Sequence, residues 1–187
     1  MCAKKLILRT VFAILGIAIF LLLGFGALAI YSVPHETHNV SDYTKLLGRW
    51  DQKLVGHFPA VIPADASFKK FTHFPGFLQG SAYIQLRLRL PPEHIRQLHT
   101  RFSMQRTKSF FGGDFNQHGN EKEGMRTTFF RTSDTEDQSF PTDYEVMIFD
   151  PILPESERQS GYWNHGRSHG VAISTDRNEI VYWAVAW

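Results

Sequence analysis

Residues 82–90 read AYIQLRLRL. Ala82, Ile84, Leu86, Leu88 and Leu90 alternate with Tyr83, Gln85, Arg87 and Arg89. A period of two predicts a strand with one buried and one polar face. It is the pattern of an antiparallel sheet whose second side is solvated or partly covered. Arg87 and Arg89 are expected on that solvated face, paired with Asp or Glu of a neighbouring strand, though they could also meet a partner or lipid headgroups. Pro91 and Pro92 close the strand.

Outward from this strand the pattern changes. Downstream, Ile95, Leu98 and Phe102 form one stripe of a helix, with Glu93 in its first turn. Upstream, Tyr43, Leu46, Leu47, Trp50 and Leu54 recur at helical spacing, with Ser41 placed as N-cap and Gly56 as stop. Between them, the prolines of residues 57–63 (HFPAVIP) exclude helix. Residues 68–74 are read as a strand, although their apolar residues recur every three positions, which leaves helix open. The glycine- and charge-rich residues 106–126 are expected to form a long loop or irregular hairpin. Further strands are expected at 125–131 and 144–149. Residues 170–174, a polar turn of Thr175, Asp176, Arg177 and Asn178, and residues 179–187 read as a hairpin. Strands outnumber helices without βαβ alternation. The predicted fold is therefore α+β, one mainly antiparallel sheet with two helices packed on it.

A transmembrane helix is expected to precede this domain. Residues 10–31 (TVFAILGIAIFLLLGFGALAIY) carry no charge, and as a helix they would extend about 33 Å, against a hydrocarbon core of about 30 Å. Lys4, Lys5 and Arg9 lie before the run, and no Lys or Arg follows until Lys45, so the positive-inside rule puts residues 1–9 in the cytoplasm. Residues 32–40 are then a juxtamembrane linker and 41–187 an extracytoplasmic domain. A cleaved signal peptide is the competing reading, with Ala27, Leu28 and Ala29 as the processing site. It is weakened by an apolar run longer than the usual h-region of about 7–15 residues. No G-x-x-x-G pair marks a helix-dimerisation face.

Charge and cysteine content narrow the classes further. Three of the 20 Lys and Arg residues precede the apolar run, leaving 17 against 18 Asp and Glu. A near-neutral domain lacks the electrostatic footprint of a nucleic-acid binder, and nucleic acid is excluded as a partner. The single cysteine, Cys2, lies before the anchor, so the exported domain has no disulfide and must be held by its core. Asn39 opens one N-x-S sequon.

Chemical motifs are sparse. GRSHG at residues 166–170 matches G-x-S-x-G, but a strand pattern follows it and no histidine lies beyond His169, which argues against a nucleophile elbow. His165 and His169 are four apart, yet the glycines around them exclude the helix that would align them on a metal. His57, His73, Asp114 or His118 could complete such a site only if the fold joined them. No metal or cofactor is assigned. Trp163, His165, Arg167 and His169, beside Tyr162, combine aromatic surface with donors for a carboxylate, phosphate or ring, and form the candidate binding segment. The expected function is a membrane-tethered binding or interaction module of the cell envelope, contacting the bilayer, an envelope protein or a small ligand. The alternatives are an envelope hydrolase using His and carboxylates from separate loops, and an accessory subunit of a membrane complex.

Overall fold

A computed structural model of the chain describes residues 15–17, 19–24, 34–77, 80–113, 128–135, 138–150 and 166–186. The chain divides into two compact units, Met1–Pro34 and His35–Trp187. In the first, residues 15–17 and 19–24 are helical and expose Leu15, Ile17, Ile19, Phe20, Leu21, Leu22 and Leu23 to solvent. Among the described residues no helix is long and apolar enough to cross a membrane. The rest of the expected 10–31 span lies outside the described residues.

The second unit is α+β, with a mainly antiparallel six-stranded sheet. Its strands are β1 (Phe68–Phe74), β2 (Ala82–Arg89), β3 (Lys108–Phe111), β4 (Glu145–Ile148), β5 (Arg167–Ser174) and β6 (Glu179–Ala186). The order is β1-β2-β6-β5-β4-β3, with every neighbouring pair antiparallel. Residues 68–74 are strand, and the hairpin expected at the C-terminus is β5–β6, with Asn178 at φ 55° in its turn. β5 begins three residues earlier than its apolar run suggested, because Arg167, Ser168 and His169 continue the ladder opposite Ala186, Val185 and Ala184.

Among the described residues three helices accompany the sheet, where two were expected. A 3-10 turn (Val40–Asp42) leads into α1 (Tyr43–Leu47), followed by α2 (Gln52–Val55) and the longer α3 (Pro92–Ser103). The single helix expected over the 43–54 stripe is broken, because Asp51 is extended and its carboxylate accepts from Lys53 N, starting α2 afresh. The first N-cap is Asn39 rather than Ser41, its side chain accepting from Ser41 N. The stripe nonetheless does its work, with Tyr43, Leu46, Leu47 and Leu54 buried together. Two other expectations change. Lys108–Phe111 is an edge strand at the start of the stretch expected to be a long loop or irregular hairpin, and of the strand expected at 125–131 the described residues 128–131 form none.

The β2 alternation decides where the core lies. Ile84, Leu86 and Leu88 join Phe71, Val171, Ile173, Ile180, Tyr182 and Ala184 beneath the helices, with Ile95 and Phe102 of α3. The other face of β2, expected to be solvated or partly covered, is covered along most of its length and open at Arg89. Gln85 and Arg87 are buried there. Residues 128–135 cross that face and are bonded to it. Gln85 Nε2 donates to Phe129 O at 2.9 Å, and Gln85 Oε1 accepts from Thr132 N and Oγ1, each at 2.8 Å. Arg87 Nη1 reaches Thr132 O at 3.1 Å and Asp134 Oδ2 at 2.7 Å. A second apolar cluster of Phe130, Phe140, Tyr144, Val146, Ala172 and Val181 completes this layer. Burying these polar groups is tolerable because each finds a partner.

Candidate functional site

Alternation along β5 places Arg167 and His169 on the helix-bearing face, with Val171 and Ile173 following them into the core. Ser168 faces the opposite side, where it is fully buried and its Oγ finds no partner among the described residues. It lies within a strand, on the opposite face from His169. The G-x-S-x-G match therefore has no nucleophile elbow behind it. Trp163 and His165, the other two residues of the candidate segment, lie outside the described residues, as do Asp114 and His118.

The fold parts Arg167 from His169. Helix α2 packs on β5 and β6, and a cleft opens on each side of it. His169 lines one, of about 400 Å³, with Lys53, Gly56, His57, Gln105, Phe149 and Asp150. Arg167 lines the other with Arg49, Trp50 and His73. Arg167 is also tied to α2, its Nη1 lying 3.1 Å from Asp51 Oδ2.

The first cleft joins His57 to His169, a pairing that nothing in the linear sequence supplies. His57 follows Gly56, the C-cap of α2, and turns inward at the helix end. Its Nε2–H donates to the carbonyl of Gly170 at 2.9 Å. That bond sets the tautomer and leaves Nδ1 as an acceptor. Nδ1 is buried without a partner among the described residues, and so is Nδ1 of His169. The two rings lie 5.4 Å apart between centroids, tilted by 41°. Phe149 meets both, at 5.2 and 5.8 Å, and Phe58 packs on His57 at 4.7 Å.

These surroundings hold both imidazoles neutral. Burial, then the neighbouring His169, lowers the pKa of His57 to about 3, against which the Gly170 and Trp183 carbonyls act only weakly. Burial lowers that of His169 too, opposed in part by Asp150. An unsatisfied buried polar atom costs about 1–3 kcal/mol. Two of them on neighbouring rings, in residues that line one cleft, leave acceptors that a donor reaching them would satisfy.

The arrangement suits hydrogen bonding better than proton transfer. A base whose pKa is near 3 is far from the range in which general-base catalysis is efficient. Among the described residues, no group of three or more His, Cys, Asp or Glu is disposed to hold a metal ion. The sequence named His57 as a conceivable partner for His169 but could not connect them. Gly170 carries the legible trace of this closeness. A Cβ on it would lie 2.0 Å from Met147 O and 2.9 Å from Trp183 Cζ2, so only glycine lets β4, β5 and β6 close up beside the site. Comparison with known proteins finds no matching family model, no matching curated protein and no matching solved structure.

Proposed function

We propose that the chain is a membrane-anchored binding module of the cell envelope, taking a small ligand or partner side chain in the cleft floored by His57 and His169. The observation that carries this reading is that the two histidines lining the cleft each bury an unpartnered Nδ1, one of them fixed as an acceptor by the His57–Gly170 bond. The ligand is one that offers an N–H or O–H beside an apolar surface, the latter resting on Phe149. Titrating the full chain in detergent micelles with phenol and with acetamide, while following the histidine ring nitrogens by NMR, tests it. Phenol is expected to move the Nδ1 resonance of His57 along a saturable curve that His169→Phe abolishes. No movement with any donor would refute the site.

The anchor in this proposal is the uncharged run over residues 10–31, with residues 1–9 cytoplasmic and 41–187 extracytoplasmic. Its support is the charge asymmetry around the run and the exposed apolar side chains of the described helical residues 15–17 and 19–24. Protease added to intact spheroplasts is expected to digest the domain. Digestion only after lysis would reverse the orientation.

A hydrolase is the competing reading, and one observation favours it: two histidines and Asp150 share the cleft. Against it stand the depressed pKa of His57 and the placement of Ser168 on the other face of the sheet. Attachment to a larger membrane complex, the third reading, predicts co-purifying partners in mild detergent.

A further inference from the structure

The cleft on the other side of α2 has a different chemistry. Its floor follows from register. Ala82, Ala186 and Arg167 lie opposite one another across β2, β6 and β5. Two alanines side by side leave a shallow apolar depression of about 320 Å³ at this end of the sheet. Trp50 forms a wall, its ring edge-on to His73 at 6.2 Å between centroids. His73 is buried. Two guanidiniums border the depression. Arg167 is engaged by Asp51 Oδ2 at 3.1 Å, while the other oxygen of Asp51 caps α2 through Lys53 N at 3.0 Å. The guanidinium of Arg49 has no hydrogen-bond or ion-pair partner among the described residues, only its backbone N–H being bonded, to Leu46 O. Among the described residues the pocket thus holds one free planar cation over an apolar floor and beside an aromatic wall.

We propose that this pocket binds a small amphiphilic carboxylate, an aromatic or short-chain acid. Its carboxylate takes the Arg49 guanidinium in a two-pronged hydrogen bond, which a planar fork favours. Its apolar body covers Trp50 and the two alanines. Inorganic phosphate shares the anion chemistry but has nothing to place on the floor, and a neutral amide of the same shape has no charge for Arg49. The site is separate from the histidine cleft, so it stands or falls independently of the proposed function.

The test uses the full chain in a non-ionic detergent and follows the Trp50 indole N–H by NMR while sodium benzoate is added. A saturable shift is expected, with benzamide and inorganic phosphate each at least about tenfold weaker. Arg49→Gln, an exposed change, should weaken benzoate about tenfold. Asp51→Asn is the sharper variant. Asparagine caps a helix as well as aspartate, so α2 is kept while Arg167 is released, and benzoate should bind several-fold more tightly. A merely structural role for these residues predicts no tightening. A silent Trp50, phosphate binding as well as benzoate, unchanged affinity in Arg49→Gln, or no gain in a folded Asp51→Asn would each overturn the proposal.

Discussion

Nε of Arg87 donates to Oε2 of Glu179 across the β2–β6 pair at 2.8 Å, with the two side chains 6% and 0% exposed. The same carboxylate accepts from Arg89 at 2.6 Å and from the hydroxyl of Tyr144. The Arg87 guanidinium is further sandwiched between the Phe68 and Phe130 rings, at 5.0 and 5.1 Å. This network fastens residues 128–135 to the sheet and thereby frames the second core.

Removing one end of a buried ion pair weakens the hold on the other. Glu179→Ala leaves Arg87 buried with the more exposed Asp134 as its remaining counter-charge, and is expected to cost about 3 kcal/mol. Arg89, half-exposed on the same carboxylate, is screened by solvent, and Arg89→Ala should cost about 1 kcal/mol or less. Urea denaturation of the two variants should separate them clearly. Equal losses would show that burial does not govern this network.

Acid should destabilise the domain in two stages. Burial would raise the pKa of Glu179, but hydrogen bonds from Arg87 and Tyr144 outweigh it and hold the group below its ordinary value. Asp134, bonded by Arg87 and Lys70, and Asp143, bonded by Arg177, are lowered as well. Carboxylates with depressed folded pKa values stabilise above their unfolded values, near 4, and lose that contribution as pH falls through the folded ones. His57 acts earlier. Its pKa drops from 6.5 to about 3 on folding, so below pH 6.5 the unfolded chain binds the proton first and stability declines. Urea midpoints should therefore begin to fall just below pH 6.5 and fall more steeply below about 4.5. His57→Phe should flatten the first limb by about 1.4 kcal/mol per pH unit while sparing the second. An unchanged first limb would contradict the burial of His57.

Glycines 170 and 48 should respond oppositely. Gly170→Ala places a methyl group 2.0 Å from Met147 O and is expected to cost about 3 kcal/mol, since backbone must move to admit it. Gly48, at φ −65° with its nearest atoms 3.5 Å away, has room for a methyl group. Gly48→Ala should gain about 0.4–1 kcal/mol by narrowing the unfolded ensemble. Thermal unfolding of the pair distinguishes a close approach from an incidental glycine.

How much of this was readable beforehand depends on range. β2 and the β5–β6 hairpin announce themselves because local periodicity and turn residues carry the signal, and the α3 stripe does likewise. β3 does not, because four residues, Lys108–Phe111, are too few to show a period and they abut a glycine-rich stretch. The 43–54 stripe predicted burial correctly but could not reveal the restart at Asp51, where one side-chain cap outweighs helical continuity. The pairing of Arg87 with a carboxylate of the neighbouring strand was expected, and Glu179 supplies it, but its burial was not legible, because Thr132 and Asp134, which bond it from above, lie 45 and 47 residues further along. The setting of the candidate site was legible only in part, for the same reason. The segment around Arg167 and His169 was singled out, but the residue that gives His169 its setting is His57, whose ring bonds a carbonyl 113 residues further along. Local pattern reports faces and turns; which polar groups meet across the sheet is a property of the closed fold.

The account rests on His57 being neutral, inward and fixed by Gly170, and an NMR titration of its ring nitrogens in the full chain tests this most directly. The prediction is a single tautomer with Nε2 protonated and Nδ1 bare, unchanged from pH 8 to about pH 4.5. A His57 ring that titrates near pH 6.5, or exchanges between tautomers, would contradict it.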